Sequence, residues 1–301
     1  LKHDDVFFVN PSVGWFATRT GEIYKTSDGG ESWQVLYEGD AYFRSMGFAD
    51  SQRGWVGNLR GEAGDVLYQT EDGGTNWSVV KLPPGPIGIC GIWVVDHTTV
   101  YAAGRRYGPA FVLKSSDGGK SWSAIDMRPY ADGLVDIYFW TPEEGIVVGS
   151  TASTALILET RDGGGTWERR YVGSRRGENA WKISFPSRTV GYVSIQAWGA
   201  EEYFLKTTDG GTTWEDKLFW SGEIPYGAQG IGFVTPTRGW MGSFIANNPT
   251  LKTEDGGETW QDAGFGKSVN RFRFLNDTLG YASGQTIYQY SVRRDVFAAR
   301  P

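Results

Sequence analysis

The sequence predicts an all-β fold, a seven-bladed β-propeller, on three observations. An eight-residue turn recurs six times at a spacing of 44 to 47 residues. A second spacing, an apolar residue six positions before a Gly-aromatic or similar pair, recurs seven times. No segment carries the 3.6-residue apolar stripe and caps of a long helix. A period of this size marks an array of one supersecondary unit, and about 45 residues is the length of a four-stranded propeller blade. The expectation is a single propeller domain over residues 1–301.

The turns are Thr26-Ser-Asp28-Gly-Gly-Glu-Ser-Trp33, Thr70-Glu-Asp72-Gly-Gly-Thr-Asn-Trp77, Ser115-Ser-Asp117-Gly-Gly-Lys-Ser-Trp122, Thr160-Arg-Asp162-Gly-Gly-Gly-Thr-Trp167, Thr207-Thr-Asp209-Gly-Gly-Thr-Thr-Trp214 and Thr253-Glu-Asp255-Gly-Gly-Glu-Thr-Trp260. Asp-Gly-Gly between apolar runs signals a hairpin, because Gly takes positive φ at no steric cost. A short carboxylate accepts backbone N–H groups of its own turn, and Ser or Thr hydroxyls do so more weakly. The pattern resembles the Asp-box, or BNR repeat, of several propeller families, with Asn76 replacing Thr in the second copy. Asp28, Asp72, Asp117, Asp162, Asp209 and Asp255 are accordingly read as structural.

The second repeat counts the units. Its copies run from Phe8 to Gly14-Trp15, Phe48 to Gly54-Trp55, Val94 to Val100-Tyr101, Phe139 to Gly145-Ile146, Phe185 to Gly191-Tyr192, Phe233 to Gly239-Trp240 and Phe274 to Gly280-Tyr281. In the first unit the strands are expected at Val6–Val9, Gly14–Thr18, Ile23–Lys25 and Trp33–Leu36. In the seventh, Thr286–Tyr290 would be strand three. Asp295–Ala298, after Arg293-Arg294, is the one candidate for its fourth strand. An open solenoid is disfavoured because no polar capping repeat is evident.

Composition sets bounds. The chain has 14 Trp, 15 Tyr, 16 Phe and 43 Gly, suited to many short strands joined by tight turns. Its net charge of −6 disfavours nucleic acid as the main partner. Cys90 is the only cysteine, so no internal disulfide forms. No apolar run reaches membrane-spanning length. The chain begins almost inside a strand, so a leader or tether removed from its N-terminal side is expected.

In a propeller the strand one–two and three–four turns share one face, which places the Asp-Gly-Gly turns there. The strand two–three and blade-to-blade connections share the other face, and variable loops on a rigid ring are where binding concentrates. Those loops hold Asp40 and Arg44, Arg60 and Glu62, Arg105-Arg106-Tyr107, Arg128-Pro-Tyr130-Ala-Asp132, Arg175-Arg176-Gly-Glu178, Gln196-Ala-Trp198, Phe219-Trp220, Glu223-Ile-Pro-Tyr226 and Phe244-Ile-Ala-Asn247-Asn248. Arginine is concentrated here although the whole chain is acidic. Arg with aromatics suits a protein interface or a carboxylate site. Arg60, Arg105, Arg106, Tyr107, Arg128, Arg175, Arg176, Trp198 and Trp220 are therefore the candidate partner-binding residues, expected to form one positive patch. Trp15, Trp55 and Trp240 are read as core, and Trp93, Trp140 and Trp181 as lying near the central channel.

The catalytic inventory is thin. His3 is terminal and His97 lies in a loop on the Asp-turn face, so neither builds a Ser-His-Asp arrangement. Two His and one Cys offer no metal spacing, and no phosphate-binding Gly-Lys-Ser/Thr loop occurs. No catalytic residue, metal or cofactor is assigned. Paired loop carboxylates remain open as an acid/base pair, drawn from Asp132, Asp136, Glu178, Glu201, Glu202 and Glu223.

Ser51-Gln-Arg-Gly-Trp-Val-Gly57 and the other Gly-Trp second strands, each followed by the Asp-Gly-Gly turn, resemble the photosystem II stability/assembly factor family and its bacterial relatives over nearly the whole chain. The resemblance implies a non-catalytic scaffold outside the cytoplasm, in a periplasm, thylakoid lumen or secreted. It also implies a protein partner, including a membrane-protein complex, bound through an arginine-rich patch. The alternative is a glycoside hydrolase or carbohydrate-binding propeller of the sialidase or xyloglucanase type. Against it, no Arg-Ile-Pro motif occurs, and a lone propeller lacks the cleft between two in tandem. In favour of a carbohydrate module, Trp198 and Trp220 could serve as stacking platforms.

Overall fold

The computed structural model describes residues 2–61, 64–292 and 296–300. They form seven four-stranded antiparallel sheets, each built from consecutive strands of one repeat. The sheets are the blades of a seven-bladed β-propeller, and no helix occurs among the described residues. The inner strands are His3–Phe8, Phe43–Phe48, Gly91–Val94, Gly133–Phe139, Asn179–Ser184, Ala228–Phe233 and Arg271–Asn276, for blades one to seven in order.

The second repeat has a steric cause. Phe8 stands opposite Gly14 in the antiparallel register, as Phe48 stands opposite Gly54 and Phe139 opposite Gly145. Each Phe ring lies over its Gly so closely that a Cβ on Gly14, Gly54 or Gly145 would meet ring carbons at 2.5, 2.2 or 2.4 Å. Only glycine leaves room for the ring. The aromatic at the second position of strand two, after Gly14, Val100 or Gly191, then stacks on the Phe of the next blade. Trp15 lies on Phe48 with centroids 3.8 Å apart, Tyr101 on Phe139 at 3.7 Å, and Tyr192 on Phe233 at 3.5 Å. Each such pair adds about 0.5–1.5 kcal/mol beyond the area it buries.

The same contact closes the ring. Tyr281 of blade seven stacks on Phe8 of blade one at 3.5 Å, and the His3 amide donates to the Gly284 carbonyl at 2.8 Å. Each blade is continuous in sequence, so closure uses packing and isolated hydrogen bonds between the first and last blades, with no strand exchanged. The outer strand of blade seven is Val296–Arg300, pairing Ala298 with Gln289. It overlaps the expected strand, whose first residue, Asp295, lies outside the described residues together with Arg293, Arg294 and Glu62.

Blade one departs from expectation at its outer edge. Strand four is Gln34–Glu38, and Trp33 belongs to the turn. The indole is half-buried there, as are Trp77, Trp214 and Trp260, whereas Trp122 and Trp167 are buried. The outermost strand has solvent on one side, which limits how far the turn tryptophan can be covered.

Candidate functional site

The six turns share one hydrogen-bond pattern. In the first, Asp28 Oδ1 accepts from the Thr26 hydroxyl at 2.7 Å and the Ser32 amide at 3.0 Å, while Oδ2 accepts from the Ser32 hydroxyl at 2.5 Å. The Thr26 hydroxyl oxygen also accepts the Gly30 amide at 2.9 Å. Asn76 fills the Thr slot of the second copy by donating its Nδ2 to Asp72 at 2.7 Å. These bonds hold the carboxylates in their charged form. The Ser121 hydroxyl, then its amide, draws Asp117 down to about 2, and the Thr166 amide does the same for Asp162. Asp209 and Asp255 are bonded in the same way to Thr213 and Thr259.

The opposite face opens into a bowl of about 790 Å³ over the central channel. Its lining follows the repeat. The residue four before the inner-strand apolar position supplies the floor as Arg44, Cys90, Val135, Trp181 and Gln229. The residue six before it supplies Lys2, Tyr42 and Ser268. The residue eleven after that apolar position supplies Arg19, Leu59, Arg105, Gln196, Phe244 and Gln285, and the next two positions add Arg60, Arg106, Tyr107 and Trp198. Equivalent positions in a closed ring face the same axis, so residues far apart in sequence converge.

The bowl is cationic. Lys2, Arg19, Arg44, Arg60, Arg105 and Arg106 line it, and no Asp or Glu is among the described lining residues. Buried Asp4 takes the Arg44 guanidinium at 3.0 Å, with Arg19 and Lys2 at 3.9 and 4.0 Å. Burial opposes the charge on Arg44, but Asp4, together with Tyr42 and Cys90, outweighs it and raises its pKa. Burial lowers Lys2 to about 8. Among the described residues neither Arg60 nor Arg105 has a carboxylate partner. Aromatic faces hold several guanidiniums in place. Tyr42 lies between Arg19 and Arg60, 5.0 and 5.2 Å from its centroid. Arg106 sits 4.5 Å from the Trp181 centroid and 4.7 Å from that of Tyr107, and donates to Gln196 Oε1 at 2.6 Å. Such contacts orient a guanidinium and leave its charge unneutralised.

The candidate patch thus divides. Arg60, Arg105, Arg106, Tyr107 and Trp198 come together in the bowl. Arg128 follows the outer strand of blade three and is held by Asp126, with Nη2 at 2.6 Å from Oδ2. Arg175 pairs with Glu178 at 2.5 Å and with Asp216, on the outer strand of blade five, at 2.6 Å. Arg176 is exposed beside it. Trp220 packs against Tyr226 and donates its N–H to the Ile224 carbonyl at 3.0 Å. The reason is radial: blade-to-blade connections start at the outermost strand, far from the axis, whereas strand two–three turns lie close to it.

Sequence reading missed Arg19 and Lys2, and named Arg44 among the loops without making it a candidate; these are three of the six cations. Arg19 lies in a short turn that looked unremarkable, yet it occupies the same repeat position as Arg105. Comparing that position across all repeats would have found it.

None of the six loop acids lines the bowl. Asp136 lies in the channel against Arg271 at 2.8 Å, and Glu202 accepts the Gly227 and Ala228 amides at 2.7 and 3.1 Å. Asp132 accepts the Ala152 amide, Glu201 the Tyr203 hydroxyl, and Glu178 the Arg175 guanidinium; Glu223 is exposed.

Among solved structures, the chain resembles one described as "YCF48 bound to D1 peptide", with 20% identity and a TM-score of 0.73 over 97% of this chain and 92% of that one. It resembles YCF48 from Cyanidioschyzon merolae at 20% identity and a TM-score of 0.72, over 98% and 96% of the two chains. A GH74 xyloglucanase from Xanthomonas campestris gives 14% identity and a TM-score of 0.75, covering 98% of this chain but 52% of the enzyme. At these identities the likeness speaks to fold alone. No curated protein sequence matches the chain. Residues 2–92 and 120–225 match the family described as photosynthesis system II assembly factor YCF48. That match spans most of the propeller, and the chain belongs to the YCF48 family.

Proposed function

We propose that this chain is a non-catalytic, extracytoplasmic assembly factor that binds a segment of a partner protein in the cationic bowl. The observation that carries this reading is the bowl itself: six cationic side chains, no carboxylate among the described lining residues, and guanidiniums held on aromatic faces, in a chain of net charge −6. A cavity of about 790 Å³ suits a short segment better than a folded surface. Family membership supports a photosystem II assembly role, with a membrane-protein complex as the partner. The D1 peptide in the YCF48 structure supports a peptide ligand here. The rival, a carbohydrate-active propeller, has the xyloglucanase likeness and an exposed Trp198 in its favour.

The test is affinity capture from the native host with the wild-type chain and with Arg105→Glu/Arg106→Glu. A discrete protein partner, lost in the double variant and weakened by salt, is the expected result. Capture unchanged by the double reversal, or recovery only on polysaccharide, would overturn the reading.

A further inference from the structure

We infer that the bowl is bipartite: its peptide ligand carries carboxylates that face blades one to three and a bulky apolar side chain that faces blades five and six. This rests on the peptide-binding reading and names the chemistry of the ligand.

The inference comes from how the side chains segregate around the ring. The strand two–three turns of blades one, two and three contribute Arg19, Leu59, Arg60, Arg105, Arg106 and Tyr107 to the bowl, and every cation that lines it belongs to these three blades. The corresponding turns of blades five and six contribute Trp198 and Phe244. Blades five and six add no cation, so the bowl divides into a cationic side, where Tyr107 carries Arg106 on its ring, and an uncharged side walled by Trp198 and Phe244.

Trp198 stands apart from the other tryptophans. It is 63% exposed, and it is the one exposed residue among the chain's 14 tryptophans. Its ring meets Phe244 edge-on at 4.7 Å and 67°, so the two form a wall with one face uncovered. Trp220 also lies near a loop, but its ring is packed and its N–H is bonded to Ile224. A purely acidic ligand would neutralise the arginines and leave the Trp198–Phe244 wall wet. A ligand with both features covers both sides. Its carboxylates supply the salt-sensitive part of binding, and its apolar side chain supplies a part that added salt does not screen.

The test uses short fluorescent synthetic peptides with the whole chain. One peptide is acidic with a central Phe, one has Ser replacing that Phe, and one keeps the Phe with its acids changed to amides. Each is titrated against wild type, Trp198→Ala, Trp198→Phe and Arg105→Glu/Arg106→Glu, after melting curves show that the variants fold. The acidic Phe peptide is expected to bind tightest. Trp198→Ala should weaken it roughly tenfold, the scale of one aromatic contact with its buried area, and leave the Ser peptide unchanged. Trp198→Phe should restore most of the loss, and the double reversal should weaken both acidic peptides. If Trp198→Ala affects both acidic peptides equally, or neither, the bipartite division is overturned while peptide binding stands. If neither acidic peptide binds better than the amide peptide, both readings fall. Trp198-dependent binding of a xyloglucan oligosaccharide in place of any peptide would also overturn the division.

Discussion

Arg271 of blade seven reaches across the central channel to Asp136 of blade four, with Nη1 to Oδ2 at 2.8 Å and Nη2 to Oδ1 at 3.0 Å. The two residues occupy the same repeat position, three before the inner-strand apolar residue, on blades separated by much of the ring. Arg271 Nε also lies 3.3 Å from Asp5 of blade one, and Asp136 Oδ2 accepts the Ile183 amide of blade five at 3.1 Å. Burial would raise Asp136, but Arg271, with Lys182, outweighs it and holds the carboxyl below its ordinary value. The bidentate pair is therefore a charged strut joining blades that share no sheet.

Removing one end of that strut leaves a buried charge without its partner. Asp136→Ala or Arg271→Ala should each cost about 3–5 kcal/mol in urea unfolding. Replacing both by apolar residues should cost less than the two single changes together, because neither charge is then stranded. Additive losses in that cycle would count against the strut.

Trp122 is buried in its turn and joins the cluster around Trp55, Leu113 and Phe111. Trp122→Ala should destabilise by about 3–5 kcal/mol, as for other buried aromatics cut to alanine. Equilibrium denaturation with an unchanged m-value would show that the loss comes from packing.

Acid should weaken the ring through its turns. Asp117, Asp162 and Asp255 are held at about 2, below the ordinary 3.8, by bonds that their protonated forms cannot fully accept. Their contribution is present above about 3.8 and is lost as pH falls through about 2. The melting temperature should therefore fall steeply between those values. Asp117→Asn should lower it at neutral pH and flatten its decline in acid. A melting temperature independent of pH across that window would contradict the assignment.

Arg128 offers a control for the bowl. It is exposed at the outer rim and bound to Asp126. Arg128→Glu should leave both the melting curve and partner capture nearly unchanged, since surface substitutions usually stay within about 0.5 kcal/mol. Loss of capture would show that the binding surface extends to the rim.

What the sequence determined by itself was the part of the structure whose causes are local or repeated. Asp28 bonds to Thr26 and Ser32 within one turn, and Phe8 covers Gly14 across one hairpin, so each is written in a few adjacent residues. Repetition then counts the blades and assigns their faces. Radial position was not legible in the same way: Arg105 and Arg128 both lie in loops of blade three, yet one turns toward the axis and the other follows an outer strand. Nor was partnership legible across the ring. Asp5, Asp136, Lys182 and Arg271 share one repeat position, but their pairing depends on how far apart their blades stand once the ring has closed. Tertiary structure alone decides that distance, because the channel brings together side chains whose strands belong to different sheets.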